Sequence, residues 1–116
     1  AISQIGVAKD VDAKMTAQQT VGAVQELYAE QGSYAAITPS ALRHFEPTFS
    51  YTGEASTGPN AVSVNASSGG VGLAVLSESG TCFYLHFGTS GVTYGTGGTC
   101  TGNAAMSAAA SGWPTS

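Results

Sequence analysis

Residues 3–31 hold no proline and only two glycines, Gly6 and Gly22, so the sequence predicts one unbroken α-helix over that span. Gly32, followed by Ser33, stands where a left-handed C-terminal cap ends such a helix. At 1.5 Å rise per residue the helix is roughly 43 Å long, whereas a compact domain of this size has a radius of gyration near ~13 Å and a diameter of about 35 Å. The helix is therefore expected to overhang its own domain. An overhanging end that carries apolar side chains needs either more of the same chain or a neighbouring subunit to cover it.

Helical spacing places Asp12, Thr16, Gln19, Ala23, Glu26 and Glu30 on a polar stripe, and Ala13, Ala17, Val21, Val24 and Tyr28 on an apolar one. Val7, Val11 and Met15 lie on a third arc, next to the apolar stripe but turned away from its centre. Over the first half of the helix, the apolar arc is thus wider than packing on one sheet requires.

The remaining sequence is poor in large apolar residues. Ala, Gly, Ser and Thr supply 61 of the 116 residues, while Leu, Ile, Val and Phe supply 21, so the core is thin and needs help from a disulfide, a partner or both. Charged residues are only 9% and the net charge is −4, which keeps the chain out of the disordered class. Three basic residues, Lys9, Lys14 and Arg43, cannot line a phosphate-tracking groove, and no direct nucleic-acid binding is expected. No run of about 20 apolar residues occurs, so no membrane span is expected in the chain as given. It opens at Ala1-Ile2 without an initiator Met or signal-peptide pattern, which reads as a processed or trimmed product. Cys82 and Cys100 form an even pair in a weakly charged, extracellular-looking chain, which favours one disulfide over two reduced buried thiols. Their spacing, without a nearby His or second Cys pair, argues against zinc.

After Gly32 the character changes. Thr38-Pro39-Ser40-Ala41-Leu42 places an N-cap before a proline at the first helical position and predicts a short helix or turn over 39–45. From Thr48 the apolar period becomes two: Phe49 and Tyr51; Val62 and Val64; Val71, Leu73 and Val75; Phe83, Leu85 and Phe87. Gly/Ser/Asn clusters separate these runs and predict an antiparallel meander with one apolar face. Gly95 to Cys100 reads as loop, and the stretch from Asn103 reads equally as a short helix capped by Asn103 or as a disordered tail.

Residues able to carry chemistry are sparse. His86 falls on the solvated face of its strand, and His44, between Arg43 and Phe45, sits in the short helix. No nucleotide fingerprint, zinc-protease motif or nucleophile elbow occurs. Asp10 and Asp12 are two helical positions apart and point in different directions, unlike the converging oxygens of a calcium loop. Asn65-Ala66-Ser67 matches the short glycosylation pattern. No catalytic residue, cofactor or metal site is expected.

Three stretches together resemble a known family. The helix closes on Tyr28-Ala29-Glu30-Gln31-Gly32-Ser33-Tyr34; Thr38-Pro39-Ser40-Ala41-Leu42 follows; and Glu78-Ser79-Gly80-Thr81-Cys82-Phe83-Tyr84-Leu85 stands ahead of Cys100. This arrangement, over about residues 8–102, resembles the head domain of type IV pilins from Gram-positive bacteria. The chain departs from that family in lacking the hydrophobic N-terminal half of the helix, with its leader-cleavage site, N-methylated first residue and acidic residue near the start.

The resemblance implies an α+β fold: a long N-terminal helix packed on a three- or four-stranded antiparallel meander, with a C-terminal loop closed by Cys82 and Cys100. As a single domain, 1–116, it divides into the helix (1–32), a connecting segment (33–47), the sheet (48–95) and the loop and tail (96–116). It further implies a structural subunit of a cell-surface pilus, anchored in the membrane before assembly by the missing segment. Other pilin subunits and the pilus assembly machinery are the implied partners, in support of adhesion, motility or DNA uptake. Val7, Val11 and Met15 are then expected to face other subunits, while Val21, Val24 and Tyr28 hold the subunit's own sheet. Two related alternatives are a type II secretion pseudopilin, typically steadied by calcium, and a minor tip pilin in which Trp113 and the stretch 95–98 form a binding edge.

Overall fold

A computed structural model describes residues 2–113, with side chains from residue 9 onward. The long helix α1 runs Ile2–Gln31. Gly32 ends it with φ 70°, the left-handed conformation that glycine adopts without a steric penalty, and its N–H donates to the Tyr28 carbonyl at 2.8 Å. A helix of that length is about 45 Å long, and the molecule measures 46 × 27 × 20 Å, so one helix sets the longest dimension.

A single 3₁₀ turn, Tyr34–Ala36, leads to α2, Pro39–Phe45. Thr38 caps α2 by accepting the Ala41 N–H at 3.1 Å, and Pro39 occupies the first turn, where its missing N–H leaves no bond unmade.

The sheet has five strands in the order β1-β2-β3-β4-β5: Ser50–Thr52, Ala61–Ser67, Gly70–Leu76, Cys82–Gly88 and Gly91–Gly97. Two expectations are corrected here. The first concerns β1, which pairs parallel to β2, with Ser50 opposite Ala61, so the sheet is mixed rather than wholly antiparallel. Buried Ser56 accounts for this. Its hydroxyl donates to the Ala61 carbonyl at 2.6 Å and accepts the Leu76 N–H at 2.9 Å, while its own N–H donates to the Cys100 carbonyl, pulling the intervening loop back past β1.

The second correction is the strand count, five instead of three or four, with β5 running to Gly97 through residues read as loop. Its side-chain alternation is written in glycines. A Cβ at Gly97 would stand 2.5 Å from the Tyr84 hydroxyl, so the small residues of β5 are the room into which the Tyr84 ring lies.

On one face of the sheet, Val62, Val64, Val71, Leu73, Val75, Phe83 and Leu85 pack with Ala13, Ala17 and Val24 of α1 in the main core. The stripe of α1 read as polar contributes too: Thr16 and Ala23 are buried. The hydroxyl of Thr20 donates to the Thr16 carbonyl at 2.8 Å, so a buried threonine is satisfied by its own helix. A second small core covers the opposite face, where Ala74, Tyr84 and the bonded Cys82 and Cys100 meet Ala105 of α3, Gly102–Ala105. The fold is thus α+β in three layers, with a second covered face where the sequence suggested one.

Beyond α3, which is capped by Thr101 and not by Asn103, the chain turns back along β5. Tyr94 and Ala110 exchange both backbone hydrogen bonds at 2.9 Å, closing part of that edge. Trp113 then meets Phe83 and Tyr94 edge to face at centroid distances of 5.6 and 5.0 Å, and its indole N–H donates to the Tyr84 carbonyl at 3.0 Å.

Candidate functional site

The most distinctive surface is the outward face of α1. Val11 and Met15 are 42% and 53% exposed, whereas Ala13, Ala17 and Val24 on the opposite face are wholly buried. Val21 and Tyr28 are half-buried against the core, and Tyr28 stacks on Tyr34 at 4.3 Å with Phe87 edge-on to both. Val7 lies outside the described side chains. α1 therefore holds its sheet on one side and offers two large apolar side chains to its surroundings on the other.

Asp10 and Lys14 fix where the sheet ends along this helix. One Asp10 carboxylate oxygen accepts the Ser77 hydroxyl at 2.6 Å and the Ser79 hydroxyl at 2.5 Å, tying α1 to the turn between β3 and β4. The Lys14 ammonium sits 5.3 Å from the ring centroid of Phe83. Helical residues 2–8 precede this anchor. The Asp10 contact is not legible in the sequence, because two serines in a turn carry no pairing signal of their own.

The disulfide joins Cys82 at the start of β4 to Cys100 and so binds the approach to α3 onto the sheet. Both cysteines are buried. Tyr84 also ties this region, donating its hydroxyl to the Thr99 carbonyl, and burial pushes its pKa upward.

Other residues singled out by sequence lie apart from one another. His86 is half-buried on the face away from α1, and His44 is exposed on α2. Asn65 of the glycosylation pattern stands within β2, its backbone N–H tightly packed against Gly102. Trp113 is turned into an aromatic cluster, and residues 95–97 are strand, so the proposed loop edge at 95–98 takes a different form. Among the described residues, no three His, Cys, Asp or Glu side chains converge.

Near the other end of α1 lies a groove of about 520 Å³ between the last turns of α1 and α2, with Leu27, Glu30, Ala41, His44 and Phe45 among its walls. Smaller hollows lie beside Met15 and Asp12, and between β5 and the returning C-terminal stretch. Comparison of the chain with protein-family models, curated proteins and solved structures finds no match.

Proposed function

We propose that this chain is the head of a type IV pilin, a structural subunit of a filament on the cell surface that polymerises through its long N-terminal helix. The observation that carries the reading is α1 itself: its length equals the longest dimension of the molecule, one side is buried on the sheet, and Val11 and Met15 stand exposed on the other. A helix packed only on its own sheet is expected to turn polar residues outward. Two large apolar residues there fit a helix that is covered again on assembly. The disulfide adds to this reading, since it steadies a thin core that would otherwise need larger side chains.

On this reading other copies of the subunit and the assembly machinery are the partners, and the filament serves adhesion, motility or DNA uptake. Immunogold labelling of producing cells, with antibody raised against this domain, tests it. Label along filament shafts is the expected result; label confined to filament tips would identify a minor tip subunit. Label on cells with no association to any filament would overturn the proposal.

A further inference from the structure

We propose that residues 107–113 are a releasable strap over the outer edge of β5, latched by Trp113, and that the edge beneath pairs antiparallel with β5 of a second copy once the strap lifts. This goes beyond the filament reading and does not rest on it. The two edges of the sheet are protected in different ways. β1 is three residues long, and Arg43 donates to its Tyr51 carbonyl at 3.2 Å. β5 is seven residues long and holds neither a charge nor a proline, the devices that ordinarily stop a bare edge from pairing. Among the described residues, the returning C-terminal stretch is what covers it.

That cover is thin. No residue of 107–113 is buried; Ala108 and Trp113 are half-buried and the others exposed. The strap meets β5 through the Tyr94–Ala110 bond pair and through the Thr93 hydroxyl, which donates to the Ala108 carbonyl at 2.7 Å. A hollow of about 300 Å³ lies between Gly95 and Thr96 of β5 and Ala108 and Ala109 of the strap, so the two are not packed along their whole length. The strap follows Cys100 and is outside the loop that the disulfide closes. Ser107 to Gly112 carry no side chain larger than serine, which leaves the Trp113 ring, seated against Phe83 and Tyr94, as the one large group that holds it. Loss of that ring frees the strap without opening the disulfide.

Pairing with a second β5 follows from which backbone groups face outward. In an antiparallel ladder, alternate residues turn their N–H and C=O to the same side. Tyr94 bonds outward to Ala110, so Val92 and Thr96 face outward as well, and among the described residues neither is paired there. The strap itself shows that this edge takes an antiparallel extended chain. A second β5 centred on Tyr94 offers the same three residues in reverse order, setting Val92 against Thr96 and Thr96 against Val92, and an isologous contact of this kind closes as a dimer. Copies of a chain with net charge −4 repel one another, and β5 brings no charge of its own to the contact. α1 packs over β3 and β4 and so leaves the edge clear.

Sedimentation velocity of the full chain tests this. Trp113→Ala is expected to form a concentration-dependent dimer over a range in which the unchanged chain stays monomeric. Both copies must open to pair, so the apparent dimer dissociation constant should fall at least about tenfold when the latch is removed. Adding Thr96→Lys, a charge at an exposed position on the edge, should abolish the dimer. Circular dichroism melting checks that each variant is folded. Should Trp113→Ala fail to fold, Ala110→Pro takes its place with the same expectation, since it removes the N–H that donates to the Tyr94 carbonyl and leaves the aromatic cluster intact. Hydrogen exchange locates the contact: the dimer should protect the amides of Val92, Tyr94 and Thr96 and leave that of Ala110 open in Trp113→Ala. A folded variant that stays monomeric, or a dimer that survives Thr96→Lys, would overturn the proposal. So would a dimer that still protects the Ala110 amide, because the straps would then have been exchanged between copies.

Discussion

The carboxylate of Asp10 accepts the hydroxyl of Ser77 at 2.6 Å across 67 positions of sequence. Ser79 donates to the same oxygen, and the Ser77 hydroxyl also accepts the Ser79 N–H at 3.1 Å. One acidic side chain thereby orders a turn and fixes how far α1 travels along the sheet.

Removing that acceptor with Asp10→Ala is expected to cost about 2 kcal/mol, the range for hydrogen bonds to a charged group. Urea unfolding checks it. Hydrogen exchange should quicken at residues 77–81 before the strands are affected.

Gly72 on β3 and Gly102 at the start of α3 approach so closely that a Cβ on Gly72 would collide with the Gly102 carbonyl oxygen. Gly72→Ala therefore has to push α3 off the sheet. Its expected cost is about 3 kcal/mol or more, well above an ordinary alanine substitution in a strand, and is read from thermal melts.

Burial, with the nearby Glu46 carboxylate adding to it, pushes the Tyr51 hydroxyl up to about 12. The unfolded chain ionises this group near about 10. Between those values the unfolded state has lost the proton and the folded state keeps it, so stability is full below pH ~10 and falls as pH rises toward ~12, by about 2–3 kcal/mol. In Tyr51→Phe this alkaline loss should largely disappear. The same variant forfeits the bond from the Tyr51 hydroxyl to the Glu46 carbonyl, costing about 1 kcal/mol at neutral pH.

The Cys82–Cys100 link closes a loop of 18 positions. Replacing both cysteines with alanine should remove about 3 kcal/mol, a large share of the stability of so small a core. Scanning calorimetry of the variant and of the reduced protein checks this. A pseudopilin would behave in the opposite way, melting higher with calcium and ignoring reductant.

Val11→Lys places a charge on an exposed helical site, so its effect on the isolated domain is expected to stay within about 0.5 kcal/mol. In the filament-forming protein the same lysine would lie at a subunit contact and should abolish piliation. Normal filaments on cells producing the variant would count against the assembly reading.

Local chemistry made α1 and α2 legible from sequence. An unbroken run ending at Gly32 and a Thr38-Pro39 start specify their bounds without reference to anything distant. Alternation located β2, β3 and β4 for the same reason: when one face is buried, every second residue must be apolar. The even pair of cysteines likewise pointed to the bond between them.

Tertiary structure alone decided the rest. The parallel pairing of β1 depends on Ser56 finding partners at Gly58, Ala61, Leu76 and Cys100, which no local pattern encodes. β5 stayed hidden because its glycines are defined by the Tyr84 ring that lies over them. Thr16 and Ala23 looked polar or neutral on a helical wheel, yet both are buried, and Thr16 lies beside Thr48, Phe49 and Asn60, which come from outside the strands. The sequence by itself determined the elements whose reasons lie within a few residues: helix length, caps and strand alternation. Edges, the second covered face and the depth of burial on each side of α1 depended on groups tens of residues apart meeting, and only packing brings those together.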